Sequence, residues 1–167
     1  MGKVANAINQ EDFRHTKQLR LGGLYYFFYD AKGKDDLPYY DKFPLVLMLE
    51  RYPDGFLGLN LHYLPVRQRI MFLDKLMIYA QTTPNNDIMR VRVTYDILNL
   101  TKRYKEFRPC LKRYLFNHMR SKILAVQPDE WDVAAILPVQ RFSGATAKKV
   151  WEDSMNEIKG KNKDEEE

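Results

Sequence analysis

The chain has 167 residues, of which 45% are hydrophobic and 13% aromatic, so it can bury enough apolar surface for one globular domain but is too short for two large ones. No apolar run approaches the ~20 residues that a membrane-spanning helix needs, which predicts a protein outside the membrane. The single cysteine and the lack of an N-terminal apolar stretch predict a reducing compartment without an internal disulfide.

The net charge of +5 is distributed unevenly along the chain. Residues 1–100 carry 13 basic and 11 acidic side chains (net +2), residues 101–125 carry 8 and 1 (+7), and residues 126–167 carry 6 and 10 (−4). We call residues 102–122 the basic segment. Its eight cations are Lys102, Arg103, Lys105, Arg108, Lys112, Arg113, Arg120 and Lys122.

The sequence of the N-terminal half predicts a polar arm followed by a small sheet. Residues 1–20 have few apolar anchors and are expected to form a flexible arm. An aromatic run over 24–29 and an apolar run over 45–49 both have strand length. A turn over 52–55, with proline at its second position and glycine at its end, leads into an alternating return strand over 56–63. Three strands this close together predict a small, bent antiparallel sheet or partial barrel.

The C-terminal half predicts mainly helices that pack on this sheet. Pro65 permits a helix start, and Val66, Ile70, Leu73 and Met77 form its apolar stripe, with Arg69 on another face. The later predicted elements are, in chain order, a strand over 89–95, a helix over 96–104, a helix over 110–119, a strand over 123–126, a helix over 128–137 and a helix over 145–159 capped by Ser143. The fold class is therefore α+β, with one domain over 21–159 and a disordered acidic tail over 160–167.

Residues with catalytic or metal-binding chemistry do not form a recognisable motif. The three histidines have no ligand spacing, and His62 is expected to hydrogen-bond within the fold. Asp129, Glu130 and Asp132 follow a proline, which is typical of a helix N-terminus rather than of a nuclease centre. Cys110 has no nucleophile context and is expected to be buried. We therefore predict a protein that is not an enzyme and uses no metal, no cofactor and no small-molecule substrate.

The basic segment has two interpretations. Its cations could neutralise phosphates while nearby rings, such as Tyr104 and Tyr114, stack on unpaired bases, which favours nucleic acid as the partner. Alternatively, they are ordinary solvated helix faces that pair with the acidic C-terminal third or with a neighbouring subunit. Charge density alone does not decide between the two.

Four strings in the sequence resemble one protein family. They are Leu-Pro-Tyr-Tyr-Asp-Lys-Phe-Pro-Leu at 37–45, Asp-Gly-Phe-Leu-Gly-Leu-Asn-Leu-His-Tyr-Leu-Pro at 54–65, Phe-Arg-Pro-Cys-Leu-Lys-Arg-Tyr-Leu at 107–115 and Pro-Asp-Glu-Trp-Asp at 128–132. Together they resemble small proteins of T-even-type contractile-tailed bacteriophages, described as DNA end protectors or as virion proteins. The resemblance covers residues 22–155. It implies a virion or DNA-packaging role without enzymatic turnover.

Two functions follow from this resemblance and from the charge pattern. In the first, the basic segment forms a helical face that contacts the phosphates of linear double-stranded DNA and shields its terminus, as in DNA end protection or packaging completion. In the second, the chain is a structural adaptor of the phage baseplate, tail or neck, and its basic helices contact acidic surfaces of other virion subunits. Both place the protein in the virion, and in the host cytoplasm during assembly.

Overall fold

A five-stranded antiparallel sheet forms the centre of the fold. The computed structural model describes residues 19–82 and 105–163, with side chains for 19–74 and 107–160. The strands are β1 (Leu24–Tyr26), β2 (Tyr40–Asp41), β3 (Leu45–Tyr52), β4 (Gly55–Asn60), β5 (Leu111–Leu115), β6 (Leu124–Val126) and β7 (Phe142–Ser143). The large sheet has the order β5-β4-β3-β1-β6, and β2 pairs with β7 in a separate two-stranded ribbon.

Among the described residues, three helices accompany these strands. They are α1 (Val66–Thr82), α2 (Trp131–Ile136) and α3 (Ala147–Lys163). Short 3-10 helices occupy Leu61–Tyr63, Lys105–Cys110, Phe116–His118 and Pro128–Glu130. In the part of the chain with described coordinates, no helix is both long and apolar enough to cross a membrane. The predicted α+β class is confirmed, although β5 and β6 come from the second half of the chain.

The hairpin of β3 and β4 forms as the sequence predicts. Its strands pair antiparallel, with Leu47 opposite Leu59, and the chain reverses between Tyr52 and Gly55. The first five residues of β3 are all buried, as expected for a continuous apolar run covered on both faces. The return strand ends at Asn60, earlier than predicted, because the Asn60 side chain accepts the His62 N–H and starts a 3-10 turn.

Alternation along the strands separates two apolar cores, one on each face of the sheet. Leu24, Leu45 and Leu47 face the helices, where they share a cluster with residues of α1, α2 and α3. Phe27 and Phe56 belong to a second, largely aromatic cluster on the other face. Because both faces are covered, the sheet has an apolar core on each side.

The helix predicted over 110–119 is wrong. Residues Leu111–Leu115 form the edge strand β5, with Tyr114 opposite Phe56 and buried in the aromatic cluster. Pro109, inside the preceding 3-10 helix, lacks an N–H group and favours a break at this point. Apolar spacing over so few residues fits either a helix or a strand, and pairing with β4 decides the outcome.

Two further details of the helices differ from prediction. Arg69, expected on a face of α1 away from its apolar stripe, is fully buried. The cap of α3 is Thr146 rather than Ser143, because Thr146 Oγ1 accepts the Lys149 N–H at 3.2 Å while Ser143 lies in β7.

Helix α3 crosses the predicted C-terminal boundary of the domain at residue 159. Helix α3 continues to Lys163 and so includes the first four residues of the predicted tail. The strand predicted over 89–95, the helix over 96–104 and residues 1–18 of the arm lie outside the described residues.

Candidate nucleic-acid interface

The basic segment is not a helical face over its described part. Residues 105–110 form a 3-10 helix, 111–115 form β5, 116–118 form another 3-10 helix, and 119–122 form a loop. This corrects the predicted helical interface. Lys102 and Arg103 lie outside the described residues, as does the side chain of Lys105.

Two arginines of the basic segment reach the surface near the β4–β5 edge. Arg108 is exposed in the 3-10 helix that precedes β5. Arg113, in β5, forms an ion pair with Asp54 of the hairpin turn, and its guanidinium carbon lies 4.0 Å from the centre of the Tyr52 ring. A carboxylate of the same molecule therefore neutralises Arg113 while leaving it accessible.

Two lysines of the basic segment are largely withdrawn from water. Lys112 Nζ lies 4.2 Å from the centre of the Tyr63 ring, and burial lowers the pKa of its ammonium group. Lys122 is only 6% exposed, and desolvation lowers its pKa as well. Both lysines are therefore less accessible than Arg108, Arg113 and Arg120, which are exposed.

Of the two cations of the basic segment that follow β5, Arg120 is the more accessible. Its side chain is 52% exposed, and its Nη2 lies 3.5 Å from Asp30 Oδ2. Asp30 also accepts a hydrogen bond from Lys34 at 3.1 Å, which lowers the pKa of the aspartate carboxyl further than Arg120 does. Arg120 thus shares one carboxylate with another cation.

Two exposed cations outside the basic segment lie on segments that backbone hydrogen bonds connect to Arg120. The Arg120 N–H donates to Phe28 O at 2.9 Å, the Tyr29 N–H donates to Lys42 O at 2.9 Å, and the Lys42 N–H donates to Arg141 O at 2.8 Å. The Arg141 guanidinium carbon lies 5.5 Å from the centre of the Phe28 ring. We call Lys42, Arg120 and Arg141 the three-cation cluster.

Sequence analysis missed this cluster because its members are far apart in the chain. Neither Lys42 nor Arg141 lies in a run of like charge. They meet through the ribbon of β2 and β7, whose strands have two residues each. Strands that short leave no period-two signal in the sequence.

A buried carboxylate holds the backbone of this ribbon. Asp41 Oδ1 accepts the N–H groups of Phe43 and Arg141, each at 3.0 Å, and Oδ2 accepts from Asn60 Nδ2 at 3.1 Å and faces His62 Nδ1 at 2.7 Å. Burial would raise the Asp41 pKa, but its contacts with His62, Asn60 and the Phe43 N–H outweigh burial and lower it. Burial lowers the His62 pKa, so a neutral ring donates its Nδ1–H to an ionised Asp41.

The hydrogen bond of His62 confirms its expected structural role. Within the described residues, no group of three or more histidine, cysteine or acidic side chains could hold a metal ion. Asp129 and Asp132 are exposed around the start of α2. Cys110 is buried, as predicted, and burial raises its pKa to about 12, which keeps it a thiol.

Comparison with known proteins identifies the family. A family model described as phage T4 terminal DNA protecting protein matches residues 5–154, most of the 167-residue chain. Searches of curated proteins and of solved structures returned no match. The chain therefore belongs to the phage T4 terminal DNA protecting protein family, which confirms the resemblance to DNA end protectors of T-even-type phages.

Proposed function

We propose that this member of the terminal DNA protecting protein family binds the end of linear double-stranded phage DNA and shields it from nucleases. The observation that carries the proposal is the family match over residues 5–154. The excess of positive charge supports it, because cations that displace counterions from phosphates give a protein salt-dependent affinity for DNA. The protein acts by covering the terminus and converts no substrate.

The phosphate contacts are assigned to accessible cations of the basic segment. Arg108 and Arg120 are exposed, and Lys102, Arg103 and Lys105 extend the same charge along the chain. Arg113 joins them by exchanging Asp54 for a phosphate, since an exposed ion pair is worth only about 0–1 kcal/mol. Lys112 and Lys122 support the fold instead.

This mode of binding does not depend on base sequence. Contacts to phosphate oxygens fix the position of a protein on the duplex but carry no sequence information. Selectivity for a terminus then comes from the geometry of the end.

The proposal is tested by comparing a labelled linear duplex with a covalently closed circle of the same sequence. We expect tighter binding of the linear form, protection of its ends from an exonuclease, and affinity that falls steeply with salt. Replacing Arg108 and Arg120 with glutamine should reduce the slope of log affinity against log salt by about 2. Lys148→Gln with Lys159→Gln is the matched control, because it removes the same charge from exposed positions of α3.

Two results would contradict the proposal. One is wild-type protein that does not bind the linear duplex at low salt. The other is an Arg108→Gln and Arg120→Gln variant that keeps the affinity and salt slope of the control. Wild-type protein that leaves DNA ends unprotected but enters virions would favour the structural adaptor.

A further inference from the structure

We propose that the three-cation cluster of Lys42, Arg120 and Arg141 is a phosphate-binding site for the DNA. This inference rests on the proposed function and adds to the basic segment a site that combines three distant parts of the chain. Its ligand is defined by chemistry, as the phosphates of a duplex, either along the strands or at the 5′ end.

The backbone arrangement gives the cluster a defined width. Arg120, the Phe28–Tyr29 stretch, Lys42 and Arg141 occupy adjacent extended segments, joined in that order by the hydrogen bonds given above. Neighbouring strands lie ~4.8 Å apart, so three such steps separate the outer segments by ~14 Å. This distance is similar to the ~12 Å width of the DNA major groove, so the cluster is wide enough to contact more than one phosphate.

The charges around the cluster leave it positive. Among the described residues, neither Lys42 nor Arg141 forms an ion pair within 4.0 Å, and both side chains are exposed. Asp30 faces Arg120 but also binds Lys34.

The neighbouring turn contributes both signs of charge. Residues 30–36 contain Asp30, Lys32, Lys34, Asp35 and Asp36, which gives a net charge of −1. Added to the three cations of the cluster and to the ionised carboxylate of Asp41, this leaves a net charge of +1. The surface therefore attracts an anion even with every nearby carboxylate ionised.

The cluster is also preorganised. The buried carboxylate of Asp41 accepts the backbone N–H of Arg141, and Lys42 directly follows Asp41 in the chain. The guanidinium of Arg141 packs over the Phe28 ring, which restricts its side chain. A site whose backbone is already fixed loses less conformational entropy when it binds.

The test uses the full-length chain with Lys42→Gln and Arg141→Gln, leaving Arg108 and Arg120 intact. Lys148→Gln with Lys159→Gln is the control, since it removes the same charge from exposed positions of α3, outside the cluster. The logarithm of the affinity falls by ~0.9 per phosphate contact for each tenfold rise in salt. Each contact therefore raises the affinity at 0.1 M salt by a factor of about 8 relative to 1 M salt. We therefore expect the cluster variant to lose roughly 60-fold in affinity and about 2 in salt slope.

Three DNA probes distinguish the two sources of phosphate. They are a linear duplex with 5′-phosphates, the same duplex with 5′-hydroxyls, and a closed circle. If the cluster variant loses the same affinity for all three probes, the cluster contacts phosphates along the strands. If it loses affinity only for the duplex with 5′-phosphates, the cluster contacts the terminal phosphate. The charge-conserving Lys42→Arg and Arg141→Lys variant should bind like wild type, and thermal unfolding shows that each variant is folded.

One result would overturn this inference and leave the proposed function standing. The cluster variant would bind linear DNA like its control, while the Arg108→Gln and Arg120→Gln variant would bind it more weakly than wild type. The inference is also overturned if the charge-conserving variant loses as much affinity as the glutamine variant, because the loss then does not come from charge. Wild-type protein that binds no DNA overturns both the inference and the proposed function.

Discussion

Arg69 is a buried cation that joins three parts of the fold, and its replacement by methionine should destabilise the protein by about 3 kcal/mol. The side chain is 0% exposed. Its Nε donates to Leu64 O at 2.7 Å, Nη1 to Ala135 O at 3.2 Å and Nη2 to His62 O at 3.3 Å. One side chain therefore links α1 to the last turn of α2 and to the 3-10 turn that follows β4.

The magnitude follows from the acceptors that the substitution leaves behind. His62 O keeps a donor, because Trp151 Nε1 also donates to it at 2.8 Å. Leu64 O and Ala135 O each lose their bond to Arg69, at about 1–3 kcal/mol apiece, or roughly 2–6 kcal/mol together. Methionine removes the desolvation cost of a buried guanidinium, whose pKa burial lowers to about 10, so we expect a value in the lower half of that range.

The assay is equilibrium unfolding in urea, followed by circular dichroism at pH 7. Arg67→Met is the matched control, since Arg67 is exposed two positions earlier on the same helix and its replacement should change stability by less than about 0.5 kcal/mol. An Arg69→Met variant within about 1 kcal/mol of wild type would refute the reasoning, because it would show that relief of desolvation offsets the lost hydrogen bonds.

Three further predictions concern other parts of the fold. Burial holds the pKa of His62 below its ordinary 6.5, so unfolding takes up a proton below that pH and stability falls on acidification by up to about 1.4 kcal/mol per pH unit. His62→Gln should remove this part of the pH dependence of stability. Equal slopes of unfolding free energy against pH for the variant and the wild type, between pH 7 and pH 5, would contradict a lowered His62 pKa. Gly58→Ala should cost about 1–3 kcal/mol in urea unfolding, because a Cβ there would lie 2.8 Å from Leu47 O, and a neutral result would show that the hairpin can relax. Thr146→Ala should lower the free energy of unfolding by about 1 kcal/mol, because it removes the cap of α3. Ser143→Ala should have little effect. A larger loss of stability in Ser143→Ala than in Thr146→Ala would show that Ser143 is the cap.

The parts of the fold that sequence predicts well are those whose signals are local. The turn at 52–55 combines proline and glycine where the backbone requires them, and the buried run of β3 has strand length. Helix α1 begins one residue after Pro65, as its apolar stripe predicts. Each of these features depends on residues within a few positions of one another.

The parts that sequence mispredicts depend on contacts between distant residues. Residues Leu111–Leu115 form a strand because β4 offers an edge to pair with. The burial of Arg69 has no local signal, because the carbonyls at positions 62, 64 and 135 that accept its hydrogen bonds converge only in the folded protein. The three-cation cluster likewise exists only after the ribbon of β2 and β7 has formed.

Contacts between distant residues also change which cations of the basic segment are accessible to DNA. Counted along the chain, residues 101–125 carry eight cations and one acid, yet Lys112 and Lys122 are mostly buried and Arg113 is neutralised by Asp54. Meanwhile Lys42 and Arg141, which the linear count assigns to other regions, are connected to Arg120 through the hydrogen-bonded Phe28–Tyr29 stretch. Since phosphates respond to charge in space, we expect a DNA interface on this fold to combine the accessible cations of the basic segment with Lys42 and Arg141.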